Sequence, residues 1–459
     1  MMPPRPLAAL PLALVLTLAA PGPPPAQSGL NPKPLVAEPI GLRMHLPAGA
    51  VVLPQLTEGT VSYAVTGGEN SPWSMRIAPL NPAVPEPSTE ALLAERIDAV
   101  KATGRPHRVI ASGPFTAGGV QGRLMYLEQT LDDQQRLVNG WLILPTSPRS
   151  FLVFAFLTTA EHFPRLRAIL EASFATIELR SQVELLDERQ AQLERGRAIV
   201  GTFTPQRLRG ALGERLWYRL YRPAPAGQPA AVTEVGFMNL RCVEAPRGQL
   251  TPERSPQSYS ALEAKRGLMV LLEARVIIDA ESSHYLDLDG RYWMDWDRSS
   301  EAWSIRQTRR QGQASKTTAE TGVRNLADLE VIHSQKEQFT RDPSRWSIPD
   351  TAFLSQPEVL LLGSLLPRDG SVTGGAVFYY YDTRQQQLTR RLDRWAPARD
   401  GTGHWVLTSQ PMLEVASITQ RFDASGHRIE RIDADGTVTR RIDPADLRRL
   451  WESKGLLTR

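Results

Sequence analysis

The chain has 459 residues, 41% hydrophobic and 22% charged, a composition that excludes a largely disordered protein and a length that is too great for one ordinary core. Its net charge of +4 is the small difference between 53 basic and 49 acidic residues. The arginines at 390, 391, 440, 441, 448 and 449 alternate with Asp393, Asp443 and Asp446, so no basic face for nucleic acid stands out. A single cysteine, Cys242, excludes an intrachain disulfide.

Residues 1–26 read as an export signal. Arg5 precedes an uncharged apolar run over residues 7–20, the length of a secretory core and short for a bilayer span. Cleavage after Ala20 is opposed by Pro21, and cleavage after Ala26 meets Pro24 upstream, so an uncleaved inner-membrane anchor is the alternative to a released protein. No cysteine near the run could carry a lipid. The expected address is periplasmic or secreted, with membrane association only through that segment. A proline-rich linker follows at 27–37.

Residues 38–180 pattern as one α/β module. GLRMHLPAGAVV begins a strand that breaks at Pro47, and SPWSMRIAPL is a second. Ser88 is placed to cap a helix with Leu93, Ile97 and Val100 on one stripe. The strands VQGRLMYLEQTL, RLVNGWLILP and SFLVFAFLTT come next, with DDQQ making the first two a hairpin. Both alternating sets of SFLVFAFL are apolar, which predicts a strand covered on both sides. The covers are the Ser88 helix and a second helix with its stripe at Phe163, Leu166, Leu170 and Phe174. That second helix runs into SFATIEL, a strand expected to close the sheet. Through GLRMHLPAG, GRLMYLEQ, WLILP and SFATIEL, residues 38–180 resemble the PsbP-like fold, an antiparallel sheet between helical layers. The resemblance implies a non-enzymatic accessory or binding role and transfers no functional residue.

Residues 181–204 read as a solvated helical connector with a narrow stripe at Val183, Leu186 and Leu193. Thr204 before Pro205 caps a further short helix. From 205 to 459 strands dominate: RLWYRLY, TEVGFMNLRCVE, GLMVLLEARVIID, HYLDLDG, RYWMDWD and AWSIRQTRR. LDLDGRYWMDWD is read as a hairpin turning at Asp289 and Gly290. In GLMVLLEARVII one face is wholly apolar, from Leu268 to Ile278. Ser355 and Glu358 then form a capping box for a helix at 356–366 that is apolar nearly all round and so requires burial on several sides. AVFYYYD, LTRRLDRWA, HWVLTS and LEVASITQRF resume the sheet. The turns ASG and ADG continue the meander, and Asp443 before Pro444 caps a last helix with Leu447, Leu450 and Trp451 inward. A long sheet curled round an apolar helix resembles the LolA-like lipoprotein-carrier half-barrel. The fold class expected is α+β: an antiparallel sheet sandwiched by helices, then a β-rich curved antiparallel sheet with a buried helix.

Chemistry-bearing motifs are sparse. The sequence has no G-x-S-x-G elbow, no zinc spacing and no phosphate loop, and His284, His333 and His404 read as surface residues at strand ends. Cys242 shares the face of Gly236, Met238 and Leu240 and reads as a buried thiol, since no base accompanies it. Asp287, Asp289, Asp295 and Asp297 would share one side of the supposed hairpin, either as a hard-cation site or as a solvated face. Trp293, Trp296 and Trp303, with Leu362 on the apolar helix, are the candidate ligand-binding residues for a glycan or lipid, against the reading that they are core. No catalytic residue, metal or cofactor is expected. The function expected is an exported, non-catalytic binding or envelope-accessory protein whose partner is a protein or an apolar or glycan ligand of the envelope. The alternatives are a lipid or lipoprotein carrier and an envelope hydrolase, for which Asp295 and Asp297 would be the first carboxylates to test. The space beside the 356–366 helix is expected to be the largest apolar concavity, filled either by the protein's own side chains or by an acyl chain.

Overall fold

The computed structural model describes residues 29–57, 60–68, 71–84, 86–131, 135–224, 232–280, 282–335, 343–368, 375–411 and 417–456. The export signal read at 1–26 and the tip of the DDQQ hairpin at 132–134 lie outside the described residues. The chain divides into two compact units between Gln182 and Val183. The whole is α+β with mostly antiparallel sheets.

The first unit begins with β1 (Leu35–Ala37) and β2 (Leu42–Met44), then β3 (Val51–Thr57), β4 (Thr60–Thr66) and β5 (Trp73–Leu80). α1 (Thr89–Lys101) leads to β6 (His107–Ala117), β7 (Val120–Thr130), β8 (Arg136–Ser147) and β9 (Ser150–Thr159). α2 (Phe163–Ala175) and β10 (Glu178–Leu179) complete it. Seven strands form an antiparallel sheet in the order β3-β4-β5-β9-β8-β7-β6. β9 lies inside it and is covered on both faces, as its doubly apolar pattern predicts. On one side Leu92 and Leu93 of α1 pack with Phe151 and Val153 of β9, and with Met125 and Ile143. On the other side the Phe174 ring of α2 meets Phe154 edge-on at 5.6 Å. α1 is capped as expected, the Ala91 N–H donating to Ser88 Oγ at 3.1 Å. Its buried residues are Leu92 and Leu93; Ile97 is half-buried against the same cluster, and Val100 is half-buried.

The closing strand departs from expectation. β10 pairs with β2 in a separate three-stranded sheet with β1, because both neighbours of β9 are already taken by β5 and β8. The end of α2 is held there by Ser173 Oγ, which donates to the His45 carbonyl at 2.5 Å, and by the His45 N–H, which donates to Thr176 Oγ1 at 2.8 Å. β6 escaped the sequence pattern because Gly113 and Pro114 interrupt it. It is an edge strand, where proline costs no ladder bond.

All but the first residue of α3 (Gln182–Gly201) belongs to the second unit, followed by α4 (Pro205–Arg209), β11 (Leu216–Arg222), β12 (Thr233–Pro246) and α5 (Ala261–Ala264). β13 (Arg266–Asp279), β14 (His284–Met294), β15 (Ser300–Gln311), β16 (Ala314–Asn325), β17 (Asp328–Gln335) and β18 (Ser344–Ser347) follow in a meander. β19 (Phe353–Leu354) leads into α6 (Gln356–Leu365). A second meander runs through β20 (Ala376–Asp382), β21 (Gln387–Pro397), β22 (Trp405–Pro411), β23 (Ile418–Phe422), β24 (Arg428–Ile432) and β25 (Val438–Arg441), and α7 (Pro444–Ser453) ends the unit. Among the described residues all fifteen strands of this unit belong to one sheet, in which antiparallel pairing of β11 with β25 joins the two meanders.

That sheet is curled. β15 and β18 lie towards one end of the strand order and β20 towards the other. Yet the Tyr381 ring of β20 is 5.5 Å from Trp303 of β15 and 5.4 Å from Trp346 of β18. Inside the curl sits α6, capped by the predicted box of Ser355 and Glu358. Its Leu361, Leu362 and Leu365 share one core with Val270, Tyr292, Phe378, Leu407 and Phe422. The helix can seat so closely because residue 363 is glycine: a Cβ there would stand 1.9 Å from Phe422 Cε1.

Two further expectations are corrected. His284–Met294 is one uninterrupted strand, so there is no hairpin at Asp289 and Gly290. Gly290 is there for space, since a Cβ would lie 2.8 Å from the Tyr292 ring. α3 is not a solvated connector along its whole length. Val183 and Leu186 are exposed, whereas Gly196, Ile199 and Val200 are buried, the last two in the core of the second unit. The stripe was misread because its centre is a glycine, which lets the helix approach the Val377 carbonyl so closely that a Cβ would be 2.1 Å from the oxygen.

Candidate ligand site in the curled sheet

Antiparallel register sorts the inward residues of β13 to β16 into cross-strand rows. The first is Leu268, Met294, Glu301 and Arg324; the second is Val270, Tyr292, Trp303 and Gly322; the third is Leu272, Gly290, Ile305 and Glu320. Ala274 and Leu288, then Val276 and Leu286, continue the same face on β13 and β14. Burial falls along this series. The first two rows are buried throughout, whereas Leu272, Ala274, Val276, Leu286 and Leu288 are half-buried. Leu220 and Met238 extend the half-buried wall onto β11 and β12. Beside α6, therefore, the space is filled by the protein's own side chains. The apolar wall opens further along the strands.

The four candidate ligand-binding residues do not converge. Leu362 is 1% exposed and Trp303 2%, both in the central core. Trp293 points to the opposite face, where it packs with Ala245 and Met269 and donates from Nε1 to the Ala245 carbonyl at 3.2 Å. Trp296, half-buried, lies under the Arg209 guanidinium at 4.6 Å. Alternation separates neighbours on one strand, so three nearby tryptophans in sequence need not share a groove.

The acidic cluster is dispersed as well. Asp287 accepts from Arg275 Nε at 2.6 Å and Arg310 Nε at 2.8 Å, Asp289 is 3.4 Å from Arg291, and Asp295 pairs with Lys265. Asp297 accepts the Ser299 N–H at 2.9 Å. No metal-holding group of three or more His, Cys, Asp or Glu side chains occurs among the described residues. Cys242 is buried, and desolvation pushes its thiol up to about 12.

Sequence reasoning missed the charges inside the curl. Glu301, 0% exposed, accepts from Arg324 Nε at 2.8 Å and from the Gln356 N–H at the start of α6 at 2.7 Å. Arg298 pairs with Glu358, also 0% exposed, and donates to the Phe353 carbonyl at 3.1 Å. Arg391 forms two bonds to Asp393, at 2.8 and 2.9 Å, and one to Ser409 Oγ at 2.7 Å. The available signal was parity: Glu301 alternates with Trp303 and Ile305, hence faces inward.

His333 is likewise inside, not on the surface. Its Nε2 is 3.4 Å from the Tyr381 hydroxyl and its Nδ1 3.6 Å from Glu320. His284 is half-buried with a buried Nε2 that has no hydrogen-bond partner among the described residues, and His404 accepts from Arg421 Nε at 3.0 Å. Burial raises the Glu320 carboxyl to about 7, with Asp382 adding to the rise and the Trp303 Nε1–H, at 2.8 Å, opposing it. A carboxyl that holds its proton more tightly folded than unfolded stabilises the fold below the unfolded value and loses that contribution as pH rises through the folded one. Stability is therefore expected to fall between about pH 4.5 and pH 7 through Glu320, and Glu320→Gln to flatten that segment of a thermal-midpoint against pH curve. An unchanged slope in the variant would refute the assignment.

A separate hollow of about 590 Å³ lies along β16, β17 and β18, lined by Val323, Glu330, Arg345 and Trp346. Its Arg345 is already paired with Glu330 at 2.9 Å.

No protein-family model and no curated protein matches the sequence. Among solved structures the chain is similar to cyanobacterial PsbP (CyanoP) from Synechocystis sp. PCC 6803, at 9% identity and a TM-score of 0.27, over 36% of this chain and 99% of that one. It is also similar to a beta-barrel-like protein of the domain of unknown function DUF1849 from Brucella abortus, at 12% identity and a TM-score of 0.32, over 50% of this chain and 93% of that one. A third is PA94 from Pseudomonas aeruginosa, a protein of unknown function and putative regulator by its description, at 10% identity and a TM-score of 0.23, over 30% of this chain and 92% of that one.

Proposed function

We propose that the protein is a non-catalytic binding protein exported to the cell envelope, and that its curled sheet receives an apolar or amphiphilic ligand there. The observation that supports this reading is the half-buried apolar wall of Leu220, Met238, Leu272, Ala274, Val276, Leu286 and Leu288, which continues the core without being sealed by it. Apolar surface on a concave face gains about 25 cal/mol per Å² when a ligand removes it from water. A lipid or lipoprotein carrier is the narrower form of the same reading. The export assignment is supported by Arg5 and the uncharged run at 7–20. No helix among the described residues is long and apolar enough to cross a membrane.

The test is titration of the purified protein with N-phenyl-1-naphthylamine, a neutral apolar probe. One equivalent should bind, displaceable by decanol, and Leu288→Asp should abolish uptake while leaving the thermal transition in place. Absence of uptake by the wild-type protein would overturn the binding reading. Fractionation of cells expressing the tagged chain checks the address, which an exclusively cytosolic product would refute.

A further inference from the structure

One inward cation at the end of this wall has no close ion pair among the described residues, the Asp433 carboxylate acting on it only at longer range. Strands β23, β24 and β25 carry five arginines: Arg421, Arg428, Arg431, Arg440 and Arg441. Four are paired, Arg421 with Asp400, Arg431 with Asp433 at 2.6 Å, Arg440 with Glu430 and Arg441 with Asp423 at 3.4 Å. Arg428 has no ion pair among the described residues. It pairs in register with Phe422, a core residue, and so points into the curl. Its guanidinium lies over the Tyr218 ring at 4.7 Å, Nη2 is 3.7 Å from Met238 Sδ, and Nε is buried without a hydrogen-bond partner.

Register continues from those two contacts. Tyr218 stands opposite Met238, Met238 opposite Ala274 and Ala274 opposite Leu288. The unpaired guanidinium therefore sits at one end of an apolar row. Desolvating a cation is costly unless an anion or strong acceptors compensate it, and an aromatic face and a thioether compensate it weakly. An arginine cannot shed its proton to escape that cost.

On the reading that this wall binds a ligand, we infer that Arg428 is the head-group site for a single-chain anionic amphiphile. A carboxylate or phosphate end would pair with the guanidinium, whose planar donor set suits such anions. The chain would lie along Met238, Ala274 and Leu288. Charge complementarity selects this ligand over a neutral lipid or a cationic one.

The experiment compares three fluorescent probes of one chain length on the purified protein: 11-(dansylamino)undecanoic acid, its methyl ester and the corresponding terminal amine. The acid is expected to bind about tenfold more tightly than the ester, as one charge-assisted pair supplies, and the amine more weakly than both. Arg428→Gln should bring the acid down to the ester's affinity and leave the ester unchanged, whereas Arg428→Lys should keep part of the preference. Should Arg428→Gln fail to fold, the order of the three probes on the wild-type protein still decides. Equal affinities for acid, ester and amine would overturn the head-group assignment while leaving apolar binding standing, and no binding of any probe would overturn both. Inorganic phosphate should leave the acid bound. Displacement of the acid by phosphate without displacement of the ester would make this a free-anion site and overturn the amphiphile.

Discussion

Leu362→Asp is expected to unfold the second unit. The side chain is 1% exposed on α6, within the core shared by Tyr292, Phe378, Leu407 and Phe422. Truncating such a leucine to alanine costs about 2–5 kcal/mol, because transfer energy and the cavity left behind both count. A carboxylate in the same place adds an uncompensated buried charge, so Asp should exceed what a domain of ordinary stability can absorb. Near-ultraviolet circular dichroism reports this directly, since Trp293 and Trp303 are packed in this unit. Leu362→Ala should retain the spectrum with a lower urea midpoint. A folded Asp variant that had lost probe uptake would instead place Leu362 on the ligand wall.

The second large effect concerns the charges that anchor α6. Arg324→Ala leaves Glu301 buried opposite the first turn of the helix with only the Gln356 N–H, and is expected to cost about 3–5 kcal/mol in a denaturant melt. Burial already pushes the Glu301 carboxyl upward, and Arg324 with the Gln356 N–H opposes it. Removing the guanidinium lets burial win. The double change Glu301→Met with Arg324→Leu should be less destabilised than Arg324→Ala, since no lone charge remains: both variants lose the Arg324 bonds to the Leu326 and Arg298 carbonyls, and the double change gives up beyond these only the bond from Gln356, worth about 1 kcal/mol. A double variant as unstable as the sum of its parts would show that the pair does more than neutralise itself.

Where the hydrophobic pattern was strong, it carried the fold. The doubly apolar SFLVFAFL is the inner strand covered by two helices, and the all-round leucines of 356–366 form the helix that the sheet encloses. Failures occurred where one residue type serves two purposes. Gly290 after Asp289 imitates a turn but makes room for Tyr292, and Gly196 interrupts a stripe that it enables by close approach to Val377. The candidate site was legible only in part. Tryptophans were singled out for being aromatic, yet parity sends Trp293 and Trp303 to opposite faces. Arg428 and Glu320 were passed over because a charged residue in a strand reads as solvated until register shows which way it faces.

The junction of β11 with β25 also sets an order of assembly. The strands at the middle of the fifteen-stranded sheet are the earliest and the last to leave the ribosome, while its two edges, β18 and β19, are adjacent in the chain. Each meander can zip locally, but the seam between them joins residues near 218 to residues near 440. Such a contact closes a long loop, so it is expected to be the slow step. Until it forms, the inner faces of both halves stay exposed as aggregation-prone surface, so the chain is most vulnerable in the interval between completing β24 and docking β25. Loss of the last twenty residues or so would for the same reason damage the centre of the sheet and not its margin.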